Sequence, residues 1–115
     1  MADILDIPPE RFQEEILNAE QLVLVNFYLS WEPRTAHKIK TLQRLAEEFS
    51  GRIKFVSVDL AKAPELDERY SLRSTPTMKL FFGGKDRATL KIFRPIEEFR
   101  AVLEFIIAND LANEP

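Results

Sequence analysis

The chain has 115 residues, which suits one compact domain and leaves no room for two. A formal net charge of −3, with charged residues scattered along the chain, argues against a surface that binds nucleic-acid phosphates. The sequence contains no cysteine, which excludes thiol–disulfide exchange, disulfide frameworks and thiolate metal sites, and its one histidine, His37, cannot form a zinc site alone.

The N-terminal part of the chain reads as a strand, a helix and a second strand. Ile4–Ile7 is a short apolar stretch, and the proline pair that begins at Pro8 suits the entry to a helix over Glu10–Asn18. Leu22–Tyr28 is rich in β-branched and aromatic residues with little polar interruption. This pattern predicts a central strand buried on both faces.

The middle of the chain continues with helix, strand and helix. After a break at residues 30–33, apolar residues three and four apart predict a helix that runs to Phe49. Gly51 is well placed to end this helix as a left-handed C-cap. Ile53–Leu60 alternates as a second core strand, and Ala63–Tyr70 is a shorter helical segment.

The C-terminal part reads as a hairpin followed by a helix. Met78–Phe82 and Ala88–Phe93 are predicted strands joined by a turn at the glycine pair 83–84. Pro95 opens the last helix, and the polar residues 109–115 are expected to fray as a tail behind a single domain at 1–108. The whole pattern predicts an α/β fold: a mixed central sheet of about five strands, flanked by four helices.

Several of these segments together resemble the thioredoxin family. The segment Val23–Trp31 looks like the strand that leads into the thioredoxin active site, and Thr75-Pro76-Thr77 looks like the family's cis-proline loop. Further residues fall at matching places: Tyr70, Arg73, Phe81 and Gly84. The likeness runs from Ile4 to about Ile107 with essentially no gaps. It implies the thioredoxin fold and a cis bond before Pro76.

The sequence departs from this family at the positions that carry its chemistry. Where thioredoxins have Cys-Gly-Pro-Cys, this chain has the residues Glu32-Pro33-Arg34-Thr35. By the same resemblance, Asn26 replaces the buried aspartate that assists proton transfer, and Ser57 replaces a neighbouring lysine. Ile92 replaces the glycine that leaves room for the substrate backbone. An uncharged amide cannot accept a proton near neutral pH, so Asn26 could not transfer protons even if the cysteines were present. The cysteines and the proton acceptor are therefore lost together.

The altered positions allow more than one interpretation. Glu32 can serve as a negative charge at a helix start, as a contact for a partner, or as a catalytic acid or base beside Thr35 or His37. Trp31 is either a packing residue or a partner contact, since tryptophan is enriched in interface hot spots. The binding candidates lie on the former active-site edge: Trp31, Glu32, Pro33, Arg34, Thr75, Pro76, Ile92 and Phe93.

The leading hypothesis is a redox-inactive thioredoxin-like protein that acts as a protein-interaction, chaperone-like or assembly module. We expect protein partners, no cofactor, no metal, no nucleic acid, no membrane, and a monomer or weak dimer. The alternative is a non-redox enzyme that uses Glu32, Arg34 or His37 in the former cleft. A thioredoxin engineered to lack its cysteines is less favoured, because Asn26 and Ile92 differ as well. Fold alone would class the chain with thioredoxins, disulfide oxidoreductases and cell redox homeostasis.

The expected location is the cytoplasm. The first six residues lack the basic start and apolar stretch of a secretory signal. The longest apolar runs, such as Leu22–Val25, are far too short to span a bilayer.

Overall fold

The computed structural model describes residues 4–29, 34–70, 72, 77–91 and 95–111, with residues 34–38, 91, 110 and 111 described by their backbone. The strands are β1 (Leu5–Asp6), β2 (Leu22–Tyr28), β3 (Ile53–Asp59), β4 (Thr77–Phe82) and β5 (Lys85–Lys91). The α-helices are α1 (Arg34–Glu48), α2 (Pro64–Tyr70) and α3 (Ile96–Ile106). Shorter helical turns cover Pro9–Arg11, Gln13–Leu17, Leu60–Lys62 and Ile107–Leu111.

The five described strands form one mixed sheet in the order β1-β3-β2-β4-β5. β1 and β2 both pair with β3 in parallel, whereas β4 pairs antiparallel with β2 and β5. Parallel neighbours need a crossover connection, and α1 provides the one between β2 and β3. The α/β class and the mixed five-stranded sheet predicted from the sequence are thus confirmed.

Strand β2 is the centre of the fold and is apolar on both faces. Leu22 and Leu24 belong to a core under α1 and α3. Val23, Val25 and Phe27 point to the opposite face, where the N-terminal helical turns and α2 cover them. This two-sided burial explains the nearly uninterrupted apolar sequence of the strand.

Helix α1 lies over the first of these cores and ends as the sequence predicts. Leu42, Leu45 and Phe49 are each at most 1% exposed, so the apolar stripe faces the sheet. Gly51 has a φ of +86°, and the Ile53 amide donates to the Phe49 carbonyl at 3.0 Å. The positive φ is the left-handed conformation for which glycine is favoured at a helix end.

The predicted helix Glu10–Asn18 has a different geometry from a regular α-helix. It begins as a 3₁₀ turn at Pro9–Arg11 and continues as a π-helical segment at Gln13–Leu17. The Asn18 amide donates to the Gln13 carbonyl at 2.9 Å, and the Gln13 side-chain amide donates to Asn18 Oδ1 over the same five residues. This pair of bonds widens the last turn.

The last strand starts earlier than the sequence indicates. The prediction of Ala88–Phe93 was wrong at its start, because β5 runs over Lys85–Lys91. The glycine pair has φ values of +62° and +78° and forms a two-residue turn, so pairing begins at once between Phe82 and Lys85. Charged residues at the start of β5 interrupt the apolar alternation by which a strand is predicted. The sheet tolerates them because β5 lies at its edge.

The C-terminal helix begins after Pro95, as predicted, and its helical backbone continues through the turn Ile107–Leu111. This turn therefore extends into the segment expected to fray. Among the described residues, none of the helices combines the length and apolar character needed to cross a membrane.

Candidate functional site

Three polar side chains form a row across the parallel strands. Asn26 on β2 is in register with Ser57 on β3, and Ser57 is in register with Asp6 on β1. Residues in register on neighbouring strands project from the same face of the sheet. The row therefore lies near the carboxyl ends of the parallel strands, where ligands commonly bind in open α/β sheets.

Asn26 is the most deeply buried member of this row, with 1% of its surface exposed. Its Nδ2 donates a hydrogen bond to Ser57 Oγ at 3.2 Å. Its Oδ1 has no hydrogen-bond partner among the described residues. A buried polar atom without a partner costs about 1–3 kcal/mol, so this oxygen is an available acceptor for a hydrogen-bond donor.

Tyr28 and Asp6 form the outer part of the same polar cluster. The Tyr28 hydroxyl donates to Asp6 Oδ1 at 3.1 Å. Burial raises the pKa of Tyr28 to about 12, and the hydrogen bond to Asp6 and the negative charges of Asp6 and Asp59 add to the effect. The phenol therefore stays protonated and remains a donor at neutral pH.

A pocket of about 320 Å³ opens against this cluster, beneath α1. Its walls combine two isoleucines with the polar groups described above and one glutamine from α1. The lining residues are Ile4, Asp6, Asn26, Tyr28, Ile39, Gln43 and Ser57. A concave site with a few converging polar groups is the usual form of a small-molecule site.

Most of the residues predicted for the former active-site edge lie outside the described residues: Trp31, Glu32, Pro33, Thr75, Pro76, Ile92 and Phe93. Arg34, Thr35 and His37 belong to the first turns of α1, and their backbone alone is described. The predicted binding role of this edge and the cis bond at Pro76 therefore stay predictions. The structure does bring Asn26 and Ser57 together, as the resemblance implied.

Sequence reasoning missed Asp6, Tyr28 and Gln43 as parts of this site. A signal for Tyr28 was present, because it follows Asn26 by two residues on a strand and so shares its face. Gln43 carried no comparable signal, since a polar residue on a helix ordinarily faces solvent. Within the described part of the chain, no group of three His, Cys, Asp or Glu side chains is placed to hold a metal ion.

A mixed sheet in the order β1-β3-β2-β4-β5, with helices on both faces and a polar pair buried beneath α1, defines a thioredoxin-fold protein. The family model described as Thioredoxin matches residues 3–104. The chain belongs to the thioredoxin family, as a divergent member with no cysteine.

Curated relatives agree with this assignment. Thioredoxin C-2 of Corynebacterium nephridii is 31% identical over 84 residues, which is 73% of this chain and 78% of that protein. Thioredoxin 1 of Nostoc is 28% identical over 85 residues, with 74% and 79% covered. The chloroplastic thioredoxin M4 of Arabidopsis thaliana is 28% identical over 104 residues, with 89% and 53% covered.

Proposed function

We propose that this protein is a redox-inactive member of the thioredoxin family that acts by binding protein partners, as an interaction, chaperone-like or assembly module in the cytoplasm. The observation that carries the proposal is the loss of cysteine inside a retained fold. Thiol–disulfide exchange requires a thiolate that attacks a disulfide sulfur. Glu32 and Thr35, which stand at the two cysteine positions, cannot supply a thiolate.

The buried pair beneath α1 supports the redox-inactive half of the proposal. Asn26 occupies the place of the family's proton-transfer aspartate, and its amide donates to Ser57 Oγ at 3.2 Å. An amide does not accept a proton near neutral pH. Restoring the two cysteines alone would therefore leave the site without its buried proton acceptor.

The binding half of the proposal places the partner on the former active-site edge. The resemblance brings several apolar residues to this edge: Trp31, Pro33, Pro76, Ile92 and Phe93. With Ile92 and Phe93 facing outward, they would form an apolar patch, and such patches often mark protein-interaction sites. The backbone at Thr75 would add main-chain hydrogen bonds to an extended partner segment, as in strand addition to a sheet edge.

The redox half is tested by insulin reduction with NADPH and a thioredoxin reductase. We expect turnover no higher than with reductase alone, whereas a cysteine-containing thioredoxin gives rapid turnover. The double variant E32C/T35C should gain weak activity, and adding N26D should raise it further. Measurable turnover by the unmodified chain would show that the proposal is wrong.

The binding half is tested by affinity purification with the full chain as bait, followed by quantitative mass spectrometry. We expect W31A and I92G to lose the specific partners. The control is F105A, which removes a ring that is 65% exposed on α3 and lies outside the proposed edge. If both edge variants retain every partner, another surface binds them.

A further inference from the structure

The pocket beneath α1 has the chemistry of a cation site. Its polar groups converge from three strands, because Asp6, Ser57 and Asn26 are in register across β1, β3 and β2. We propose that this pocket binds a small organic cation: a protonated amine or a guanidinium group on a short apolar stem.

The side chain of Asn26 offers an acceptor to the N–H groups of such a ligand. The side chain is 1% exposed and lines the pocket, while its Nδ2 is already bonded to Ser57 Oγ at 3.2 Å. Its Oδ1 finds no donor among the described residues. An N–H group of a bound ligand would satisfy this oxygen, and both ammonium and guanidinium groups carry several such donors.

Two carboxylates lie in or near the pocket. The Asp6 carboxylate lies in the exposed outer part of the lining and accepts from the Tyr28 hydroxyl at 3.1 Å. Asp59 is in register with Tyr28 on the neighbouring strand and adds a second negative charge nearby. Among the described residues that line the pocket, there is no lysine or arginine that would neutralise these carboxylates. Its potential therefore favours a cation over an anion.

The donor set fits an organic cation better than a metal ion. Asp6 is the one carboxylate among the lining residues that the structure describes, and the other polar groups among them are neutral. Calcium and magnesium sites usually gather several carboxylate or carbonyl oxygens at short distance, and Asp6 alone is a weak basis for one. Ile4 and Ile39 form an apolar part of the pocket wall, which suits a hydrocarbon stem.

The pocket is large enough for a cation of this kind. A volume of about 320 Å³ corresponds to roughly ten waters at about 30 Å³ each. A butylammonium or butylguanidinium ion fits within that space. The same headgroups occur on free amines and on lysine or arginine side chains, so the test needs an arm for each source.

The test is a titration of the full chain followed by ¹⁵N–¹H NMR. The probes are n-butylammonium and n-butylguanidinium, with n-butanol and n-butyrate as neutral and anionic controls. We expect the two cations to shift the Asn26 side-chain amide and the backbone amides of Asp6 and Ser57. A terminally blocked Gly-Lys-Gly peptide and its acetyllysine counterpart form the second arm. Tighter binding of the lysine peptide than of butylammonium identifies a partner's side chain as the source, and the reverse identifies a free amine.

Two variants test the assignment within the site. D6N removes the charge and N26L removes the carbonyl acceptor, and each should weaken cation binding by about tenfold or more. The matched control is E97Q, which removes an equal charge from the first turn of α3 and should leave binding unchanged. Thermal unfolding confirms that each variant is folded.

Three results would overturn the proposal: no shift with either cation, equal shifts with butyrate, or undiminished binding in both D6N and N26L. If a variant does not fold, the comparison of cation and anion on the unmodified chain still decides. This outcome is distinguishable from that of the proposed partner-binding function, because the cation titration uses neither a reductase nor a protein partner.

Discussion

Asn26 is a polar residue in a place where packing alone would select an apolar one. It lies on β2 between Ser57 on β3 and Met78 on β4, on the face that α1 covers. The bond to Ser57 satisfies one end of the amide, and the other end has no partner among the described residues. An unpartnered buried oxygen costs stability, so the packing of the described side chains does not by itself explain a polar residue at this position.

Tyr28 provides a prediction about alkaline pH. Its pKa of about 12 in the folded protein lies above the ordinary value near 10, first because of burial and then because of Asp6. A phenol with a raised folded pKa stabilises the fold below pH 10, and this contribution is lost as the pH rises from 10 to 12. In a Y70F background, absorbance at 295 nm should titrate with a midpoint near 12.

Asp6 supplies the control for this titration. D6N removes the carboxylate that accepts from the Tyr28 hydroxyl, so the midpoint should fall while burial keeps it above 10. Circular dichroism at each pH shows whether the chain is still folded. A midpoint of 10 in the folded protein, unchanged by D6N, would contradict the predicted environment of Tyr28.

The hairpin between β4 and β5 depends on two glycines that have different surroundings. Both have positive φ values, but a Cβ on Gly84 would lie 3.2 Å from the Leu17 carbonyl oxygen, whereas a Cβ on Gly83 would meet nothing within 4 Å. We expect G83A to cost about 1 kcal/mol of unfolding free energy from backbone strain alone. G84A should cost about 2 kcal/mol, because the close approach adds to that strain.

Urea unfolding of both variants measures this difference. G83A is the matched control, since it changes the same turn and the same backbone region without the steric contact. Equal losses of unfolding free energy in the two variants would mean that the contact between the new Cβ and the Leu17 carbonyl oxygen adds nothing to the cost of G84A.

The same hairpin holds a buried lysine, and its energetics should be asymmetric. Lys79 Nζ donates to Asp86 Oδ2 at 2.8 Å and to Thr89 Oγ1 at 2.7 Å, and its side chain is 8% exposed. D86N leaves a nearly buried ammonium without its counter-ion, which should cost about 1–3 kcal/mol. K79M replaces the charge with an apolar chain of similar length and should change the unfolding free energy by less than about 1 kcal/mol.

Denaturation of both variants at the same pH, with the double variant to close the cycle, measures the coupling of this pair. The expected result is a larger loss for D86N than for K79M. If K79M is the more harmful substitution, the buried ammonium and its hydrogen bonds stabilise the hairpin by more than their desolvation costs.

Elements with one strong local signal could be predicted from the sequence. The predictions of a strand at Leu22–Tyr28 and of a helix end at Gly51 were correct. Burial on both faces selects apolar residues, and a positive φ selects glycine, so both features can be read from residue type. The start of β5 was wrong because pairing across a tight turn, not the pattern of the strand itself, makes Lys85 a strand residue. The π-helical turn at Gln13–Leu17 depends on a bond between Asn18 and Gln13 that no periodicity reveals.

The candidate site was harder to predict because its members lie far apart in the chain. Asn26 and Ser57 were paired through a resemblance, and the parallel register places them side by side. Asp6 joins them through pairing of a two-residue strand, β1, which has little pattern of its own. A pocket that depends on such register contacts becomes visible only once the sheet is assembled.

The molecule as a whole is held together by a sheet shared between two cores. One core lies under α1 and α3 and includes Leu103, and the other lies under α2 and the N-terminal helical turns and includes Leu66. Because β2 and β3 contribute side chains to both, opening either layer exposes the strands that support the other. Unfolding should therefore be a single cooperative transition.

The shared sheet predicts how one cavity variant in each core unfolds. Leu103 is fully buried and Leu66 is 4% exposed, so L103A and L66A should each lower the unfolding free energy by about 2–5 kcal/mol. Within each variant, far-UV circular dichroism and the fluorescence of the single tryptophan should give the same urea midpoint. F105A, which truncates a 65% exposed ring, should change stability by less than about 0.5 kcal/mol. Separate midpoints for the two probes in L103A or L66A would show that the cores unfold independently, in spite of the sheet that they share.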